Sequence, residues 1–181
     1  MISPYAENCL ANVPAGHEIL INGNPDIIIW HDLQSVFARK DVNGVLLSTG
    51  TPEWENALQE EWTDVLNRFQ ETQADIFLIL PPLRSTVGLD ECSTFLRCVD
   101  IQFQDKSIRE VTLKWWETVE NSSDVFTLEL DSFLCPTGNP CPEKIKGVEI
   151  RLGGNDQTHF TEEGANTTAL LLMDKVIELS S

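Results

Sequence analysis

Apolar residues in this chain follow two rhythms, short unbroken runs and longer stretches in which they recur every three or four positions. The runs are Ile27-Ile28-Ile29-Trp30 after an Asn-Pro-Asp turn and Ile76 to Leu80 closed by Pro81-Pro82, and Val125 to Leu130, interrupted by Thr127 and Glu129, gives a third strand. Continuous runs rich in β-branched residues between turn signals predict strands buried on both faces of a parallel sheet, and the first reads as a central strand. Between the first two, Trp54, Leu58, Trp62, Val65, Leu66 and Phe69 repeat at helical spacing, with Thr51 and Pro52 placed to start a helix over Glu53 to Gln73. Strand, crossover helix, strand is a βαβ unit. A second helix is predicted from Lys106 to Asn121, with Ile108, Val111, Trp115 and Val119 along one side and Leu113 and Trp116 flanking it.

The remaining stretches carry less period. Residues 1–24 hold Pro4, Pro14, Gly16 and Gly23 and read as mostly loop, with one short strand or helical turn around Glu18 to Ile21 and His17 as a surface loop residue. His31 to Gly50 reads as a long loop, and Leu83 to Ile101 as loop with a short helix. Val148 to Leu152 alternates and predicts a small hairpin. A closing helix is predicted over Glu162 to Leu179, capped by Thr161, with Glu162 and Glu163 suiting the positive end of its dipole. Alternating strands and helices predict an α/β fold, a three-layer α/β/α sandwich with a mainly parallel sheet, in a single domain. Its cleft would lie at the carboxyl ends of the strands, where loops carrying His31, Pro81 and His159 are expected to converge.

Composition narrows the function. The 181 residues are 41% hydrophobic and 23% charged, and no apolar run approaches the ~20 residues needed to cross a bilayer, so the chain itself is not expected to insert into a membrane. A net charge of -17 repels phosphate backbones and excludes nucleic acid as an expected partner. Of five cysteines, Cys135 and Cys141 bracket a turn-rich loop and Cys92 and Cys98 form a second close pair. Paired this way they would place the chain in an oxidising compartment; free thiols in a cytosolic protein are the alternative. Cys9 is left over. Met1-Ile2-Ser3-Pro4-Tyr5 has neither a basic nor an apolar leader segment, so an extracytoplasmic location would call for a leader or membrane anchor outside this chain.

The candidate chemistry lies in Gly153-Gly154-Asn155-Asp156-Gln157-Thr158-His159-Phe160-Thr161. A carboxylate three residues before a histidine, on a connection leading into a helix, suits a catalytic base. Asp156 can accept the Nδ1 proton and fix the tautomer, leaving Nε2 of His159 free to take a proton from a nucleophile. A solvated loop histidine is the competing reading of the bare pair. His31 and Asp32 beside Asp156 and His159 could in principle ligate a metal, but the chain has no His-x-x-x-His or paired Cys-x-x-Cys spacing, and neither metal nor cofactor is expected. Trp54, Trp62, Trp115 and Trp116 read as core residues, with a carbohydrate groove as the alternative for one of them.

Taken together, several stretches resemble the SGNH (GDSL-like) hydrolases, and among them the C-terminal domain of membrane acyltransferases that modify surface polysaccharides. They are the Asn24 to Ile29 strand, Gly50-Thr51-Pro52-Glu53-Trp54, Pro81-Pro82, Leu134-Cys135-Pro136 with Cys141-Pro142, and Asp156-Gln157-Thr158-His159-Phe160-Thr161. The resemblance covers most of the chain. It implies a flavodoxin-like sandwich and an extracytoplasmic domain that moves or removes O-acyl groups on cell-surface glycans through a serine nucleophile. The implied partners are a glycan or acyl-ester substrate and a membrane acyltransferase domain in the same parent polypeptide. Two elements of the family pattern are absent: no Gly-Asp-Ser block occurs, and Trp30-His31-Asp32 stands where a Gly-x-Asn-Asp block would supply an oxyanion donor. The expectation is therefore a chain lacking the family's first strand and its serine, inactive as an esterase on its own. A non-catalytic carbohydrate-binding or accessory domain is the alternative.

Overall fold

The computed structural model of the protein describes residues 14–31, 45–80, 95–135, 144–150 and 160–180, and of residues 95–106 the backbone alone. In chain order the elements are helix α1 over residues 14–22, strand β1 (Ile27–Trp30), helix α2 (Pro52–Gln70), strand β2 (Asp75–Leu80) and helix α3 (Phe95–Val119). Strand β3 (Val125–Glu129), the one-turn helix α4 (Asp131–Leu134), strands β4 (Lys144–Ile145) and β5 (Val148–Glu149) and helix α5 (Glu162–Leu179) follow.

The fold is α/β, with an all-parallel three-stranded sheet in the order β1-β2-β3 flanked by helices, the arrangement expected of an α/β/α sandwich. β1 pairs with β2 in a register that sets Ile28 opposite Ile76 and Trp30 opposite Leu78. Hydrogen bonds from Ile76 N to Asp124 O and from Leu130 N to Leu80 O bracket the β2-β3 pairing. β2 is the strand buried on both faces, with Ile76 to Leu80 all inside.

β1 corrects the expectation of a central strand. It stands at one end of the described sheet, with Ile28 1% exposed but Ile27 and Ile29 38% and 41% exposed. A run of β-branched residues satisfies a strand's backbone preference whether one face is covered or both, so the run alone did not carry that distinction.

The chain divides into two compact units, Met1–Leu78 with Ser107–Thr127, and Ile79–Lys106 with Leu128–Ser181. In the first, α2 forms as its pattern demands. Thr51 is the N-cap, its side chain accepting from Trp54 N at 3.3 Å; Pro52 opens the first turn and Glu53 and Glu55 lie at the positive dipole end. Trp54, Leu58, Trp62, Leu66 and Phe69 form its buried stripe. Burial of each is worth about 1.5–3 kcal/mol, far more than any propensity difference along the helix. Trp115 of α3 packs against Trp62 at 5.3 Å between ring centroids, and Trp30 of β1 meets Phe69 and Trp115 edge-on at 5.5 and 6.0 Å. After α2, Gln73 takes a left-handed conformation (φ 63°), and Thr72 Oγ1 caps the turn by donating to Phe69 O and accepting from Ala74 N.

Two helices are longer than the sequence pattern predicts. Residues 14–22 are helical rather than mostly loop, with Pro14 at the first position, where a missing N–H costs nothing. His17 is correspondingly on this helix and not in a loop, its ring edge-on to Phe69 at 5.3 Å, and Glu18 pairs with Arg68 of α2. These contacts offset a short helix's poor intrinsic stability. α3 begins at Phe95, so the last residues of the stretch expected as loop with a short helix and the separate helix expected from Lys106 are one 25-residue helix, while 83–94 lie outside the described residues. Val111, Trp115 and Trp116 are buried as expected, with Thr112 beside them.

The second unit contains the β4-β5 hairpin and α5, which packs on β5. Lys146 and Gly147 both have positive φ (53° and 85°), the signature of a type I′ turn, whose twist matches an antiparallel pair. α5 spans Glu162 to Leu179 as the sequence predicts, capped by Thr161.

Candidate functional site

Asp156 and His159 lie outside the described residues; the structure describes the chain on either side of them. Before them, the hairpin ends at Glu149 and is followed by Ile150, which is 3% exposed. After them, Phe160 forms an isolated β-bridge and Thr161 caps α5. These two flanks are bonded directly to each other. Thr161 N donates to Ile150 O at 3.0 Å, and Thr161 Oγ1 donates to Glu149 O at 2.6 Å while accepting from Gly164 N at 2.8 Å. One hydroxyl thus caps α5 and ties it to the strand that leads into the candidate segment.

Gly164 explains why the two flanks can come so close. A Cβ built there would lie 2.2 Å from Ile150 O and under 3 Å from two further backbone atoms of Ile150, so only glycine fits. The first turn of α5 therefore rests on the backbone of Ile150, and one backbone hydrogen bond joins the residues on either side of 151–159. Sequence reasoning identified Thr161 from its capping position. It missed Gly164, whose signal is a glycine at the third position of a helix, where alanine would be the better helix former.

Of the other predicted site residues, His31 follows β1 and is exposed, engaged in an interaction of its own. Asp32 and Pro81 lie outside the described residues, as do Cys9, Cys92 and Cys141, so the expected convergence with His159 concerns segments not described. Cys135 follows α4, is buried at 6% exposure and is disulfide-bonded, to a partner outside the described side chains. Its Sγ lies 3.6 Å from Asp131 Oδ1, a contact rather than a hydrogen bond, since a disulfide sulfur carries no proton. Among the described residues no group of three His, Cys, Asp or Glu is placed to hold a metal ion, and no helix is long and apolar enough to cross a membrane. Trp54, Trp62, Trp115 and Trp116 are all core residues, between 1% and 6% exposed. Trp115 also lines a groove between α2 and α3.

No protein-family model matches the chain, and no curated protein matches it.

Proposed function

We propose that this chain is an SGNH-like domain for O-acyl transfer, or ester hydrolysis, on cell-surface glycans, with His159 as general base and Asp156 as its orienting carboxylate. The observation that carries the reading is the closed base of the 151–159 segment. A base must be held in position to be useful, and the residues on either side of 151–159 are held to each other by the bond from Thr161 N to Ile150 O and by the close approach of Gly164 to Ile150.

In this mechanism His159 Nε2 takes the proton of a serine hydroxyl as it attacks an acyl carbonyl. Asp156 holds the Nδ1 proton and stabilises the imidazolium that results. The serine is supplied from outside this chain, in the parent polypeptide that also carries the membrane acyltransferase domain. The exposed Ile27 and Ile29 of β1 support a further covering layer on that strand, since parallel sheets bury both faces. The Cys135 disulfide supports an extracytoplasmic location, and we assign its partner as Cys141 across the turn-rich loop.

The test is acetyl-ester hydrolysis by the chain expressed with the in-frame sequence upstream of it, beside a His159→Ala version. A drop of about a thousandfold or more in the variant supports the base assignment. Equal activity in the two would reject it, and a folded protein silent in both would favour a binding or accessory role.

A further inference from the structure

Helix α5 is buried along one face and apolar along the other. Gly164, Thr168 and Val176 are its buried residues, whereas Leu170, Met173 and Ile177 are 69%, 42% and 61% exposed. At about 3.6 residues per turn these three fall within an arc of about 60° on the side of the helix opposite Thr168, and they follow one another along about two turns. A single exposed apolar side chain needs no explanation; three in line make a continuous strip, the form in which a helix presents anchors to a partner.

Charge decides what can cover the strip. Glu163, Asp174 and Glu178, all exposed, occupy the adjoining arc of about 60° and so form an acidic edge along one side of it. The one cation of α5, Lys175, lies on the far side of the helix from the strip and donates to Glu178 at 2.9 Å. A second copy laid α5 against α5 would bring more carboxylates to this edge and leave its own Lys175 facing away, on a chain that already carries a net charge of -17. An anionic bilayer surface would be repelled by the same edge. A helix with an apolar stripe of its own, bordered by Lys or Arg, covers the strip and matches the edge at once.

We propose that the outer face of α5 docks a basic amphipathic helix of a partner protein, with Leu170, Met173 and Ile177 against its apolar stripe and Glu163 and Asp174 along its Lys or Arg edge. The inference goes beyond the catalytic reading and stands independently of it, since none of its residues belongs to the Asp156–His159 segment.

The test is an NMR titration of the full chain followed at the Met173 methyl group, one of only two methionine methyls in the sequence. The probes are synthetic peptides of the length of α5: one with a Leu-Ala stripe edged by Lys, the same peptide with Glu in place of Lys, and a scrambled order of the first. The expected result is a saturable shift with the Lys-edged peptide alone, weakened about tenfold in Leu170→Gln and about threefold in Asp174→Asn. Leu170 is exposed and Gln suits a helix nearly as well as Leu, so weaker binding in that variant is not lost structure. No saturable shift with the Lys-edged peptide, equal binding of the scrambled one, or binding undiminished in Leu170→Gln would each overturn the proposal. A Met173 shift with phosphatidylglycerol vesicles and none with peptide would overturn it in favour of a membrane, and a shift that grows with protein concentration alone would do so in favour of a second copy. Because the titration reads binding at α5 and not turnover, its failure is distinct from failure of the catalytic reading.

Discussion

Gly164 and Thr161 together hold the base of the candidate segment, and each makes a prediction of its own. A methyl group at position 164 would sit 2.2 Å from a backbone oxygen, which cannot swing aside as a side chain can. Gly164→Ala should therefore destabilise the protein by about 2–3 kcal/mol despite alanine's better helix propensity, visible as a lower urea midpoint. A midpoint equal to or above that of the natural chain would contradict the close approach. Thr161→Ala loses the cap bond to Gly164 N and the tie to Glu149 O, and should cost about 1–2 kcal/mol in the same measurement. Thr161 was legible in the sequence because a capping hydroxyl acts on its own neighbours. Gly164 was not, because the atoms that forbid a side chain there belong to Ile150, which local periodicity does not bring near it.

At the scale of elements, the same division between local and distant causes decides what the sequence showed. α2 and α5 were legible nearly to the residue, since a capping threonine stands before each and, in α2, a stripe of large apolar side chains repeats every three or four positions. α1 was not, because its support comes from His17 on Phe69 and Glu18 on Arg68, contacts with a helix about fifty positions away. The beginning of α3 was obscured because Leu83 to Ile101 lacks a periodic apolar face. β1 shows how far an apolar run can be read: it forms the strand, but only one of its faces is covered. Ile28→Ala should cost about 2–4 kcal/mol, whereas Ile29→Thr, which keeps β-branching at an exposed position, should change stability by less than about 0.5 kcal/mol. Paired urea melts check this, and equal losses at the two positions would mean that both faces are covered in solution.

For the molecule as a whole, the charge of -17 acts on stability more than on fold. Three of the ion pairs, Arg68 with Glu18, Lys114 with Glu55 and Lys175 with Glu178, are largely solvent-exposed and contribute little, so screening them costs little. Screening the general repulsion among carboxylates gains more. The melting temperature should accordingly rise between 10 mM and 0.5 M sodium chloride at neutral pH; a fall would mean that attractive pairs dominate. The candidate site was legible only as a motif, Asp-x-x-His before a capped helix. The structure adds the closed base beneath it.

The central claim, that Asp156 and His159 act as a pair, is tested most directly by an NMR titration of the His159 imidazole in the natural chain and in Asp156→Asn. A carboxylate beside the ring favours its charged form, so the expected result is an imidazole that holds its proton to higher pH in the natural chain than in Asp156→Asn. A His159 pKa that is ordinary and unchanged by the substitution would contradict the pairing, and with it the assignment of His159 as a catalytic base.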